Sequence, residues 1–184
     1  MVEDIIADWN VAKSDTCGVI LRYFNPVGAH ESAQIGEDPQ GYPNNLMPFV
    51  QQVAIGKRKQ LQVHGDDYPT TDGTGVRDYI HIEDLAQAHL DAVNFAAKSK
   101  GTHRFNIGTG RGYSVMEVVK SFEKVNDIKV AYEIGPRRPG DIAEMAANPK
   151  LAKSELGWEA KYDIDDMCKS AWEFQKENPD GYSK

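Results

Sequence analysis

Short apolar strands alternate with amphipathic helical segments along the whole sequence, and this alternation constrains the fold more than any single motif. Cys17–Tyr23 is apolar through its middle, which predicts a strand buried on both faces. The longest helical pattern begins near Ile82 and repeats apolar side chains at helical spacing over four turns. Strands that alternate with helices are typical of the α/β class. We therefore predict an α/β fold with no linker inside the chain.

Periodicity and capping signals predict the remaining elements. These are an opening helix through Val2 and Trp9, a helix over Leu46–Ala54, strands at Leu61–His64, Val76–His81, 103–107 and 128–134, a helix opened by a capping box at Ser114, a helix from Asn148 to Gly157, and a last helix capped by Asp163. His89 lies on the apolar stripe of the helix that begins near Ile82, so we interpret it as a packed core residue rather than a ligand. Residues 30–43 and 65–75 are polar and rich in glycine, which predicts loops.

Charge and cysteine content narrow the possible partners. The net charge of -7 is unfavourable for nucleic acid and for an anionic membrane, so we expect neither as a partner. An anionic small ligand would need a local cluster of arginines. Cys17 and Cys168 lie far apart and fit a reduced, cytoplasmic protein without a disulfide framework or a structural metal site.

The motifs of common catalytic centres are absent from the sequence. No tyrosine is followed by a lysine four residues later, and there is no G-x-S-x-G, H-E-x-x-H or Walker loop. We therefore assign no catalytic residue to this chain. Gly108-Thr-Gly110-Arg-Gly112 follows a strand and precedes a helix, but its third glycine is one residue early for a dinucleotide fingerprint. A tight turn explains these glycines equally well.

Three arginines and an asparagine pair are the candidate binding residues. Arg77, Arg137 and Arg138 stand in glycine- and proline-rich loops at strand ends, where α/β folds bind ligands. Such arginines can grip phosphate oxygens, or they can form ordinary surface ion pairs, and spacing alone does not separate the two. Asn44 and Asn45 precede a helix, where a capping role is favoured although a helix N-terminus also attracts anions.

Several stretches, taken together, resemble the UDP-glucose (UDP-galactose) 4-epimerases, which are extended short-chain dehydrogenases/reductases. The stretches are LRYFNPVGAH at 21–30, GEDP at 36–39, PNNLMP at 43–48, DGTGVRDYIH at 72–81, RRPGD at 137–141 and NPDGY at 178–182. The resemblance implies a C-terminal substrate-binding lobe plus the last strands of an NAD-binding Rossmann sheet. Residues 1–24 and roughly 76–108 would contribute to that sheet, and the remainder would form the lobe.

The resemblance also implies an activity for the parent protein. Enzymes of this family invert C4 of the sugar in UDP-glucose and UDP-galactose, with NAD taking and returning a hydride, and a Tyr-x-x-x-Lys pair transferring the proton. The parent would be a homodimer. The opening Met-Val-Glu-Asp-Ile-Ile resembles the helix just after that lysine, so we expect a chain that lacks the N-terminal Rossmann half. Such a chain would bind UDP-hexose but would be inactive alone.

Individual roles follow from matching the motifs residue by residue. Tyr23 and Phe24 would lie beside the nicotinamide of NAD. The UDP-sugar would be bound by Asn25, Asn44, Asn45, Leu46, Gln62, His64, Arg77, Arg138, Asp141 and Met145. Among these, Arg77 and Arg138 would clamp the diphosphate, Asp141 would bind the ribose, and Gln62 and His64 would flank the uracil.

Two residues depart from the family pattern, and two other functions compete. His64 replaces the aromatic residue usual beside the uracil. Met145 stands where the resemblance places a tyrosine that crowds the C2 substituent of the sugar, so N-acetylated sugars should be partly accepted. The alternative is that Met145 is simply a core residue of the segment 143–147. The competing interpretations are another nucleotide-sugar enzyme of the superfamily, such as a dehydratase or decarboxylase, and a non-catalytic fragment that binds nucleotide sugar.

Overall fold

The computed structural model describes residues 1–182 and confirms the α/β class. The elements in chain order are α1 (Val2–Ala12), β1 (Cys17–Tyr23), β2 (Asn25–Val27), α2 (Leu46–Ala54), β3 (Leu61–His64), β4 (Val76–His81), α3 (Ile82–Ala96), β5 (Gly101–Ile107), β6 (Gly112–Ser114), α4 (Val115–Asn126), β7 (Tyr132–Gly135), β8 (Glu144–Met145), a π-helical turn (Ala152–Leu156) and α5 (Ile164–Glu177). Both capping boxes form, at Ser114 for α4 and at Asp163 for α5. No helix within residues 1–182 is long and apolar enough to cross a membrane.

The strands form three small sheets. β1 pairs in parallel with β5, from Cys17 opposite Gly101 to Tyr23 opposite Ile107. β4 pairs with β2 and β8 in parallel and with β6 antiparallel, and β3 pairs in parallel with β7. The residues near 101–107 pair with β1. The assignment of residues 1–24 and roughly 76–108 to a Rossmann sheet stays a prediction. Residues 76–81 belong to the second sheet, because the chain leaves β1 after Tyr23 and pairs with β4 through β2.

Two hydrophobic clusters form the core, and β4 lies between them. The larger cluster joins α2, α4 and α5, and it includes Tyr79 of β4. The smaller cluster joins α3, β5 and the π-helical turn, and it includes Ile80 of β4. Successive side chains of a strand point to opposite faces, so neighbouring residues of β4 are buried in different clusters.

The buried face of α3 differs from the predicted stripe. Leu85, Ala88 and Ala92 are buried, whereas Leu90 is 60% exposed. His89 is exposed and its Nδ1 lies 2.8 Å from the carbonyl oxygen of Leu85, so its interpretation as a packed core residue is wrong. The helix carries apolar residues on more than one face, and only one of these packs against the smaller cluster.

Two predicted elements near the end of the chain also differ. The strand predicted over 128–134 is limited to Tyr132–Gly135, because Val130 packs into the core just before the strand begins. The predicted helix at 148–157 is a short helical turn followed by the π-helical turn Ala152–Leu156. It ends as predicted at Gly157, which has a φ of 70°.

Candidate functional site

A cleft of about 180 Å³ brings nine of the twelve predicted site residues together. It lies between the start of α2, strand β3, the start of β4 and the loop after β7. The predicted residues on its wall are Asn25, Asn44, Asn45, Leu46, Gln62, His64, Arg77, Arg138 and Asp141. The motifs that carry them are separated by more than 100 residues, so the fold assembles one polar surface from distant parts of the sequence.

Two arginines on the cleft wall differ in how they are held. Arg77 Nη1 donates to the carbonyl oxygens of Val76 at 2.7 Å and Ile142 at 2.9 Å, and its Nη2 donates to Asp141 Oδ1 at 2.9 Å. Within residues 1–182, no hydrogen bond or ion pair involves the guanidinium of Arg138. Arg77 is therefore a fixed cation, while Arg138 is free to bind an anion that enters the cleft.

Arg137 has a structural role beside the cleft. Its Nε donates to Asp67 Oδ1 at 2.6 Å, and its guanidinium lies 4.1 Å from the centre of the Tyr68 ring. The hydrogen bond lowers the pKa of the Asp67 carboxyl. A Cβ on Gly65 would lie 2.7 Å from Arg137 Cγ, so this glycine makes room for the contact. Arg137 thus ties the loop 65–75 to the loop that carries Arg138.

Asn45 occupies the N-cap position of α2 without capping it. Its backbone is extended, but its side chain makes no hydrogen bond to the first turn of the helix. Instead Asn45 Nδ2 donates to Glu37 Oε1 at 2.9 Å. The interpretation of Asn45 as a cap is therefore wrong, because a nearby carboxylate, a strong acceptor, takes the amide. The end of the helix that faces the cleft keeps its dipole and its free N–H groups.

Aromatic residues that the sequence interpretation missed line one side of the cleft. Tyr42 and Phe49 meet edge to face at 5.2 Å, and Arg58 lies about 5 Å from both rings. Tyr68 is buried, and its hydroxyl has no partner within the described residues. The available signal for Tyr42 was its place directly before the Pro43-Asn-Asn stretch. Tyr68 lies in a loop whose folding the sequence pattern does not predict.

Strand β3 supplies the other predicted pair. His64 is half-buried at the end of β3, opposite Gly135 of β7. With its amide turned by 180°, Gln62 donates to Glu133 Oε1 at 2.7 Å and accepts from Gly135 N at 3.1 Å, and this orientation satisfies both groups. Gln62 is thus held against β7, and its position at the cleft is set by strand pairing.

Three predicted residues lie off the cleft wall. Tyr23 ends β1 and is 55% exposed, with Phe24 directly after it. Met145 is 42% exposed in β8, where it pairs with Arg77. The roles of Tyr23 and Phe24 beside NAD and of Met145 beside the sugar stay predictions.

The Gly108–Gly112 turn closes around a buried carboxylate. Asp78 is fully buried and accepts hydrogen bonds from Thr109 N at 3.0 Å, Gly110 N at 2.9 Å and Ala147 N at 3.0 Å. A Cβ on Gly108 would lie 2.8 Å from Asp78 Oδ2. The backbone groups that a pyrophosphate would need are thus already used, which supports the tight-turn interpretation of these glycines.

The groups on the cleft wall suit an anionic ligand. The cleft combines arginine, amide and carboxylate groups with aromatic surface, as a nucleotide diphosphate site does. Within residues 1–182, no group of three or more histidine, cysteine, aspartate or glutamate side chains could hold a metal ion.

The fold is that of the extended short-chain dehydrogenases/reductases. Residues 2–171 match the family described as GDP-mannose 4,6 dehydratase, and the chain belongs to this family. Its curated relatives include the UDP-glucose 4-epimerases of Pasteurella multocida, 57% identical over 99% of this chain and 54% of the relative, and of Bacillus subtilis, 55% identical over the same shares. The chain spans about half the length of these relatives.

A solved structure is similar in both fold and sequence. The crystal structure of UDP-glucose 4-epimerase from Bifidobacterium longum in complex with NAD+ and UDP matches with a TM-score of 0.93 and 52% identity. The match covers 98% of this chain and 53% of that one. The resemblance to UDP-glucose 4-epimerases is therefore confirmed.

Proposed function

We propose that this chain is the UDP-sugar-binding part of an enzyme that interconverts UDP-glucose and UDP-galactose with NAD as its cofactor. The observation that carries the proposal is the single cleft that joins Arg77 and Arg138 with Asn45 at a helix N-terminus. Two cations and a helix dipole suit a diphosphate, and the binding energy of the nucleotide leaves the sugar free to turn over. The names of relatives at 55–57% identity support the reaction.

The 184-residue sequence supplies binding rather than chemistry in this proposal. No tyrosine in it is followed by a lysine at the fourth position, so the proton-transfer pair would come from elsewhere in the enzyme. NAD would be held mainly outside this sequence, with Tyr23 and Phe24 beside the nicotinamide. We expect the chain alone, supplied with NAD and UDP-galactose, to form no UDP-glucose, and measurable product would contradict this part of the proposal.

A chimera tests the reaction directly. This chain would replace the matching part of the Pasteurella multocida UDP-glucose 4-epimerase, with which it shares 57% identity. We expect UDP-galactose to be converted to UDP-glucose, and an Arg138→Ala chimera to lose most of this turnover. Arg111→Ala is the matched control, because Arg111 stacks on Tyr113 away from the cleft wall. A folded, NAD-loaded chimera without epimerase activity would refute the proposal.

The main alternative is a different nucleotide-sugar reaction in the same superfamily. This alternative is supported by the match of residues 2–171 to the family described as GDP-mannose 4,6 dehydratase. A dehydratase would release water and leave a 4-keto-6-deoxy sugar, so mass spectrometry of the chimera's products distinguishes the two. A non-catalytic nucleotide-sugar-binding fragment would bind UDP but yield an inactive chimera. A homodimeric parent and a cytoplasmic location stay predictions.

A further inference from the structure

The last described residues clamp the loop that precedes α2. The Tyr182 hydroxyl accepts from Gly36 N at 2.8 Å and donates to Gly36 O at 3.0 Å. A Cβ on Gly36 would lie 2.3 Å from the Phe174 ring, so only glycine fits at this position. The rings of Phe174 and Tyr182 pack together against this part of the loop. The backbone on one side of Glu37 is thereby held in place.

A second set of contacts holds the other side of Glu37. Asp38 Oδ2 accepts from Tyr182 N at 3.1 Å. On the same side as Gly36, Asn178 Nδ2 donates to the carbonyl oxygen of Ala33 at 2.9 Å. The NPDGY stretch, identified above only by resemblance, thus has a physical role. It fixes the loop on both sides of Glu37.

Glu37 connects this clamp to the cleft. Its Oε1 accepts from Asn45 Nδ2 at 2.9 Å, and Asn45 lies on the cleft wall, whereas neither Glu37 nor Tyr182 does. Loss of solvent around the Glu37 carboxyl raises its pKa, and the hydrogen bond from Asn45 opposes this rise. Within residues 1–182, Glu37 is the only hydrogen-bond partner of the Asn45 amide, so it takes one Nδ2–H and leaves the second Nδ2–H to donate to an anionic ligand.

We propose that Glu37 is a positioning residue that fixes the amide of Asn45 for the nucleotide diphosphate, and that Tyr182 holds Glu37 in place. The inference rests on the proposed function, in which Asn45 contacts the ligand. An amide oriented in advance loses less rotational freedom when the ligand binds than one that is free to turn. Glu37 and Tyr182 therefore act on ligand affinity only through Asn45.

Calorimetric titration of the 184-residue chain with UDP tests whether Glu37 acts on ligand affinity through Asn45. We expect Asn45→Ala to weaken binding by about tenfold or more and Glu37→Ala by about fivefold, as for the loss of hydrogen bonds to charged groups. Glu37→Gln keeps an acceptor oxygen and should stay within about threefold of the unaltered chain. Glu37→Ala combined with Asn45→Ala should bind no more weakly than Asn45→Ala alone, because the two residues form one unit.

Tyr182→Phe removes only one hydroxyl. It tests the contacts between Tyr182 and the loop even if the Glu37→Ala variant does not fold. We expect it to weaken UDP binding by about twofold to fivefold through the lost hydrogen bonds to Gly36. Tyr162→Phe is the matched control, because the Tyr162 hydroxyl donates to Glu83 Oε2 at 2.8 Å away from the cleft wall. It should leave UDP affinity unchanged.

The outcomes separate this inference from the proposed function. Normal UDP affinity in Glu37→Ala and Tyr182→Phe, with weakened affinity in Asn45→Ala, would overturn the inference and leave the cleft assignment intact. Additive losses in the double variant would also overturn it, since they would mean that Glu37 acts independently of Asn45. If the unaltered, folded chain fails to bind UDP, both the proposed function and this inference are wrong.

Discussion

Replacing Arg138 with alanine should weaken UDP binding without weakening the fold. The side chain lines the cleft, and no hydrogen bond or ion pair within residues 1–182 uses it, so its removal breaks no contact of the unliganded protein. Loss of a charge-assisted pair to phosphate costs about 2–4 kcal/mol, which corresponds to an affinity about 30-fold to 1000-fold lower.

Arg77 differs from Arg138 because its guanidinium is already hydrogen-bonded within the protein. Its replacement should therefore affect folding as well as binding. Its guanidinium holds Asp141 and the carbonyl oxygens of Val76 and Ile142, and its side chain is only 18% exposed. Arg77→Ala should therefore weaken UDP binding and also lower the free energy of unfolding by about 1 kcal/mol, because its hydrogen bonds to one partly buried and two exposed acceptors are lost.

Calorimetric titration with UDP and urea unfolding, measured on the same variants, check both arginines. The two losses of affinity should be less than additive in the double variant, since both residues serve one diphosphate. Arg111→Ala should leave UDP affinity unchanged. Unchanged UDP affinity in both Arg77→Ala and Arg138→Ala would remove these residues from the site and refute the assignment of the cleft.

Three further predictions concern substrate range, pH and backbone. In the chimera, Met145→Tyr should lower turnover of UDP-N-acetylgalactosamine and spare UDP-galactose, and equal losses on both would show that Met145 is no wall residue. Burial lowers the pKa of His81, so the unfolded chain takes up a proton at a higher pH than the folded chain does. The contribution of His81 to stability should be complete above about pH 6.5 and decrease below it. Melting temperatures measured across this pH range should depend less on pH in His81→Asn. Gly73→Ala should lower the free energy of unfolding by more than about 2 kcal/mol, because its Cβ would lie 1.9 Å from the carbonyl oxygen of Asp66. Gly56→Ala is the control: its φ is 82° but its Cβ would meet open space, so the loss measured by urea unfolding should be about 1 kcal/mol.

Periodicity and caps predicted most of the elements because these signals act locally. The capping box at Ser114 and the cap at Asp163 form as predicted, since all their atoms lie within one helical turn. The same local reasoning was wrong for Asn45, where the carboxylate of Glu37, eight residues earlier in the chain, accepts from the amide. It was also wrong for His89, because helical spacing does not say which of several apolar faces will pack.

The candidate site shows the same limit. Arg137 and Arg138 are adjacent and chemically identical, and no local pattern distinguishes the one that grips Asp67 from the one that lines the cleft. That difference depends on the loop 65–75, whose position is set by long-range contacts. Only the joint resemblance of several motifs assigned Arg138 to a ligand, and the assignment stays a prediction until binding is measured.

Strand β4 makes the two hydrophobic clusters depend on each other. Tyr79 is 4% exposed in one cluster and Ile80 is fully buried in the other, so neither cluster can open without moving this strand. Amide protons of β4 should therefore exchange with solvent deuterium only when the whole molecule opens, and at one common rate. Because Arg77 and Tyr79 of this strand line the cleft, the cleft wall would then be as long-lived as the native state itself.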